Sequence, residues 1–153
     1  MLRSPLHDKH LELGARIVPF AGWEMPIQYA GIVAEHHSVR NEVGVFDISH
    51  MGELEIAGKE AESFLNRLLT NDVSALSDNE GQYTLMLNDE GGVIDDLILY
   101  RLDQDRYFLV VNASKIEEDV AWISSQLVPD ISLTDHSEVY GGIAVQGPEA
   151  IAL

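Results

Sequence analysis

Apolar and polar positions change period several times along this chain, and each change marks an element. Residues 28–43 carry Ile32, Val33, His36, Val39 and Val43 toward one side of a helix, with Gly44 as its stop. Two short strands are expected next, VFDIS at 45–49 and ELEIA at 53–57. KEAESFLNRLLTND then spaces Ala61, Phe64, Leu65, Leu68 and Leu69 as one helical face. YTLML at 83–87 and VIDDLILYRL at 93–102 predict a hairpin around the turn-rich NDEGG at 88–92, and YFLVV at 107–111 a third strand. Ser114 and Glu117 form a capping-box pattern that opens a helix carrying Ile116, Val120, Ile123 and Leu127. Strand, strand, helix, strand is an α+β order.

Both ends of the chain read differently. FAGWEMPIQY at 20–29 looks like a loop in which Phe20, Trp23, Met25 and Tyr29 surround turn residues. GIAVQGPEAIAL reads as a strand, a Gly-Pro break and a helix with Pro148 near its first position. That helix stops after about one and a half turns, too short to bury an apolar face. The expectation is a piece of a longer protein.

Two adjacent carboxylates, Asp95 and Asp96, interrupt the otherwise apolar run GGVIDDLILYR. Consecutive strand residues point to opposite faces, so one of the two must look inward. Three readings stay open. In the first, one Asp is solvated and the other accepts backbone hydrogen bonds. In the second the pair binds a metal, although no further ligand stands at the usual spacings. In the third the inward Asp orients or deprotonates an amine in a partly apolar pocket.

Composition narrows the partners. The 153 residues are 46% hydrophobic, enough for a sizeable core, and 26 acidic against 9 basic residues give a formal charge of -17. Nucleic acids and anionic membranes need a positive footprint that such a chain lacks. With no cysteine there is no disulfide, no thiolate nucleophile and no Cys-ligated metal site. No stretch approaches the roughly 20 apolar residues of a membrane span, and the N-terminus has no apolar secretory core, so a cytoplasmic location is the default expectation.

The histidines do not assemble a site by spacing. His36 and His37 diverge by about 100 degrees on a helix. Ser49, His50 and Asp47 in DISHMGE lack the context of a nucleophile elbow, which argues against a hydrolase triad. No phosphate-cradling glycine loop is present. Tyr83, Tyr100 and Asn112 flank the Asp-bearing hairpin, and with an inward Asp they suit a pocket that stacks a flat ring and hydrogen-bonds its amide edge.

These residues bring the chain to a known family. SPLHDKHLELGARIVPFAGWEMPIQY at 4–29, VRNEVGVFDISHMGELEIAG at 39–58, FLNRLLTNDV at 64–73, QYTLMLNDEGGVIDDLILYRL at 82–102, YFLVVNAS at 107–114 and AVQGPEA at 144–150 resemble, in order, the aminomethyltransferase or T-protein of the glycine cleavage system. The resemblance implies a folate-binding α+β domain of antiparallel sheets and packed helices, incomplete here. Residues 1–50 would be the first part of one domain, 51–138 a second domain carrying the Asp hairpin, and 139–153 the return into the first. It implies transfer of the one-carbon unit from the aminomethylated lipoyl arm of the H-protein to tetrahydrofolate, releasing ammonia, 5,10-methylenetetrahydrofolate and the dihydrolipoyl carrier. Asp96 matches the family's functional carboxylate, which holds the folate nitrogen. Met51, Tyr83, Leu97, Tyr100 and Asn112 lie in segments that line the family's folate pocket.

Family members run to well over twice this length, and the remainder supplies a Glu and an Arg that grip the folate and a C-terminal β-barrel. The chain alone is therefore expected to be inactive or weakly active. Its acidity opposes docking of an acidic H-protein unless a local patch such as Arg16 and Arg40, basic charge elsewhere or high salt intervenes. The alternative readings are a related folate-dependent demethylase, the folate domain of a methylglycine oxidase, or a non-catalytic folate-binding protein.

Overall fold

The computed structural model describes residues 1–153, which divide into two compact units, Met1–His50 with Gly141–Leu153 and Met51–Tyr140. The fold is α+β with antiparallel sheets and four α-helices. No helix is long and apolar enough to cross a membrane.

In unit 51–140, strands β5 (Gly52–Ala57), β6 (Gly81–Leu87), β7 (Val93–Asp103), β8 (Arg106–Val111) and β9 (Ser132–Asp135) form one antiparallel sheet in the order β6-β7-β8-β5-β9. Helices α3 (Ala61–Leu68) and α4 (Ile116–Gln126) join its strands. Alternation decides what the core receives. Leu54 and Ile56, Leu97 and Leu99, and Tyr107, Leu109 and Val111 point inward from three neighbouring strands. The helical face expected at Ala61, Phe64, Leu65, Leu68 and Leu69 is buried throughout and belongs to the same core, as does Ile123 of α4. Gly52 is small because a Cβ there would lie 2.6 Å from Ile116 and Val111 side chains.

The outer edge of β6 is covered by the chain that leaves α3. Leu69 bridges Met86, the Thr70 N–H donates to the Leu85 carbonyl at 3.0 Å, and the Asn71 Nδ2 donates to the Tyr83 carbonyl at 2.6 Å.

The other unit holds β1 (Leu2–Arg3), α1 (His7–Glu12), β2 (Arg16–Phe20), β3 (Trp23–Gln28), α2 (Ile32–Asn41), β4 (Gly44–Asp47) and β10 (Ile143–Gln146). Its sheets are β1-β3-β2 and the antiparallel pair β10-β4.

Four expectations change. The stretch expected to be a loop at 20–29 is mostly a hairpin, β2 against β3, closed by Ala21 and Gly22, both with positive φ. Two prolines hid it. Pro19 sits on an edge strand, and the two-residue β1 pairs β3 only at Trp23 and Glu24, short of Pro26. Helix α2 ends at Asn41, buries none of its residues, and Gly44 opens β4 instead of stopping the helix. Gly44 answers to crowding, since a Cβ there would lie 2.4 Å from the Val39 side chain. Helix α4 begins after Lys115 with no side-chain cap, so Ser114 does not close a capping box. The segment after Pro148 is a single 3-10 turn, Ala150–Ala152, rather than an α-helix.

Candidate functional site

Strand β7 separates the paired aspartates by face. Asp95 is 5% exposed, while Asp96 belongs to the exposed series that continues with Ile98 and Tyr100. The inward carboxylate is therefore Asp95, and Asp96 looks out of the sheet. Asp96 is nevertheless held. The Tyr83 hydroxyl donates to its Oδ2 at 2.7 Å, and the Asn112 Nδ2 donates to its carbonyl oxygen at 2.9 Å and its Oδ1 at 3.3 Å. Tyr83 can do this because β6 pairs antiparallel with β7, setting Tyr83 opposite Ile98 and Leu85 opposite Asp96. The bond to Asp96 is the main cause that pushes the Tyr83 hydroxyl above its ordinary pKa.

The sheet register places most of the other candidates on this face. Ile98 opposes Val110 and Gly52 opposes Val111, so one further step sets Asn112 beside Asp96 and Met51 beside Asn112. Tyr100 is two residues from Ile98, and its ring lies over Gly81, where a Cβ would come within 2.6 Å of the ring. Leu97 differs: it is 2% exposed on the opposite face, inside the apolar core with Leu99. It contributes packing behind Asp96 and no surface beside it.

Asn112 is the joint of the site. Its backbone N–H donates to Asp95 Oδ2 at 3.1 Å and its side-chain Nδ2 to Asp95 Oδ1 at 2.8 Å, so one residue grips both aspartates. Behind Asp95 lies Asp119 of α4, fully buried and pushed up to about 8. Burial is the first cause, followed by the Asp95 carboxyl within hydrogen-bonding reach, with Glu118 adding and Lys115 opposing. The sequence held a signal for this residue. Asp119 follows Ile116 by three and precedes Ile123 by four, which puts it on the apolar stripe.

Glu53 was also overlooked. It points from β5 to the Asp96 face, is 5% exposed, and has an Oε2 without a partner. Burial, with Asp135 second, raises it to about 7. ELEIA at 53–57 marks Glu53 only as a polar position in a short strand, and its burial is tertiary information.

In the other unit, Asp47 gathers hydrogen bonds from Ser4 Oγ at 2.5 Å and Ser49 Oγ at 2.6 Å, with His10 Nε2 at 2.7 Å. The Tyr29 hydroxyl meets His10 Nδ1 at 2.8 Å. Burial opposes ionisation, but the hydroxyls of Ser4 and Ser49 and then His10 outweigh it and hold Asp47 at about 2. Ser49 thus serves Asp47 and not His50, whose ring packs edge-on to Phe20 and is lowered by burial. This is a structural anchor, not a nucleophile with its base. No group of three or more acidic or histidine side chains is arranged to hold a metal ion.

A carboxylate fixed by a phenol and an amide, beside exposed Tyr83, Ile98 and Tyr100, suits a planar heterocycle that presents N–H donors. The chain and its α+β fold find counterparts among known proteins. The model of the GCVT N-terminal domain matches residues 6–153. An aminomethyltransferase of Staphylococcus carnosus is 50% identical over 97% of this chain and 41% of its own length. The aminomethyltransferase of Bacillus subtilis is 46% identical over 99% of the chain and 42% of its own length. The crystal structure of glycine cleavage system aminomethyltransferase T from Bartonella henselae superposes with a TM-score of 0.91 at 35% identity, over 99% of this chain and 42% of that one. The chain belongs to the GCVT N-terminal domain family of aminomethyltransferases. It spans 41–42% of the length of these relatives.

Proposed function

We propose that the Asp96 face is the tetrahydrofolate-binding face of a glycine cleavage T-protein. In this reading the aminomethyl group on the lipoyl arm of the H-protein gives its carbon to tetrahydrofolate. The products are ammonia, 5,10-methylenetetrahydrofolate and the dihydrolipoyl carrier, and the reaction runs in the cytoplasm. The observation that carries the reading is Asp96 held outward by Tyr83 and Asn112 on a face with exposed rings. A carboxylate so fixed accepts a hydrogen bond from a folate ring nitrogen, which directs that nitrogen's lone pair at the incoming carbon. Tyr83 and Tyr100 supply ring surface, Asn112 an amide, and Met51 an apolar side chain at the same end of the sheet. Leu97 stiffens β7 from behind.

The test joins residues 1–153 to the remainder of the Bacillus subtilis relative and assays the fusion with aminomethylated H-protein and tetrahydrofolate. Asp96→Asn is expected to lower kcat by about 100-fold or more, the scale of a lost general-base interaction, while Asp95→Asn costs about tenfold or less. If Asp95 is the more sensitive of the two, or if the fusion turns over dimethylglycine in place of the H-protein substrate, the reading fails.

A further inference from the structure

We propose that Asp119 is a neutral carboxylic acid that donates its proton to Asp95, and that this acid–carboxylate pair holds Asn112, and through it Asp96, in place. Asp119 is fully buried, and neither of its carboxyl oxygens receives a hydrogen bond from any N–H or hydroxyl. A bare carboxylate in that position would lose its hydration with nothing in return. Asp95, itself buried, stands within hydrogen-bonding reach. Two facing carboxylates repel, whereas one proton between them turns the repulsion into a hydrogen bond.

The charges around Asp119 agree. Besides Asp95 on β7, Glu118 of α4 and Lys115 just before the helix act on it, and the Lys115 ammonium is engaged at 2.6 Å by Glu118. The Lys115 charge offsets burial and the neighbouring carboxylates only in part, and Asp119 is pushed up to about 8.

The consequence reaches the surface through Asn112. With the proton on Asp119, the Asp95 oxygens accept both the backbone and the side-chain N–H of Asn112. That fixes the Asn112 amide with its Nδ2 also on Asp96. Helix α4 is tied to the same residue, since the Lys115 N–H donates to the Asn112 carbonyl at 2.8 Å and the Asp119 N–H to the Lys115 carbonyl at 2.8 Å. Asp119 and Asp95 are positioning residues that act through Asn112. Their effect on catalysis rests on the folate-face reading, but the proton and the order of Asn112 do not.

Carboxyl 13C and side-chain amide 15N NMR on the 153-residue chain test the pair directly. At about pH 6.5 the Asp119 carboxyl is expected to be neutral, and the Asn112 side-chain amide should shift with the same midpoint, about 8, at which Asp119 ionises. Asp119→Asn keeps a donor for Asp95 and should abolish that shift while leaving the amide ordered. If that variant does not fold, Asp95→Asn serves: the Asp119 midpoint should fall by roughly one unit or more, as the like charge is gone. An Asp119 already ionised at about pH 6.5, or an Asn112 transition that survives Asp119→Asn, overturns the proposal. In the full-length fusion, kcat should fall as pH rises through about 8, where Asp119 ionises, and Asp119→Asn should remove that fall. Should the NMR hold while Asp96→Asn stays active, the folate-face reading has failed and the proton pair stands.

Discussion

The two compact units are held by different kinds of force. Unit 51–140 encloses an apolar core in which Leu54, Ile56, Phe64, Leu65, Leu99, Tyr107 and Leu109 are almost wholly removed from water. In the other unit Met25 is the only buried apolar side chain, and its interior is made of Ser4, His7, His10 and Ser49. Many of its apolar residues face outward, with Val33 70% and Val45 62% exposed. One unit is stabilised by undirected burial spread over many side chains, the other by a few directed bonds that converge on Asp47. The first tolerates small errors of geometry, while the second depends on each donor.

That contrast can be broken at several points. Phe64→Ala should cost the sheet unit about 3–5 kcal/mol, because a large aromatic leaves a cavity in a closed core; denaturant unfolding measures it. Raising the pH should weaken the same unit. Asp119 and Glu53 titrate at about 8 and about 7 when folded, above their ordinary values, so the folded chain binds more protons than the unfolded one. Stability is then fullest below about pH 4 for these groups and falls until about pH 8, by several kcal/mol in all. Hydrogen exchange should show the loss in β5, β7 and α4, and Asp119→Asn should remove the Asp119 share of it, leaving that of Glu53.

Acid should act on the other unit. Asp47 is held at about 2 when folded, so its contribution is full above its ordinary value and is lost as pH falls through about 2. The stake is about 2 kcal/mol, and exchange at the amides of α1 and Ser49 should reveal it. Smallest of all, Val33→Ala should change stability by no more than about 0.5 kcal/mol, since an exposed methyl has little to lose. A larger value would mean that α2 is more buried in solution than its 70% exposed Val33 indicates.

The same contrast explains what could be read from the amino acids. Periodicity reports burial, so the sheet unit was legible: the face from Ala61 to Leu69, the hairpin around 88–92 and the strand at 107–111 all appear where the pattern puts them. Directed bonds leave no period. His10 lies 37 residues from Asp47 and Ser4 lies 43, and no spacing rule joins them. The hairpin at 16–28 was hidden by prolines that a narrow edge sheet accommodates.

At the candidate site, strand alternation separated Asp95 from Asp96 but not which one faced outward, because the run around them is apolar on both faces. Leu97, grouped with the site by its segment, sits on the core side for the same alternation. The role of Asn112 needed the register of two strand pairs, which is tertiary information.

The chain segment that covers β6 has a consequence for solubility. A sheet that ends in a free strand offers a template on which another molecule's strand can grow. Here Thr70 and Asn71 already occupy the carbonyls of Leu85 and Tyr83, and Leu69 bridges Met86. The rim nearest the paired aspartates therefore presents few open hydrogen-bonding groups to a neighbouring molecule. The strand that carries Tyr83 is thereby protected from misassembly by the turn that follows α3.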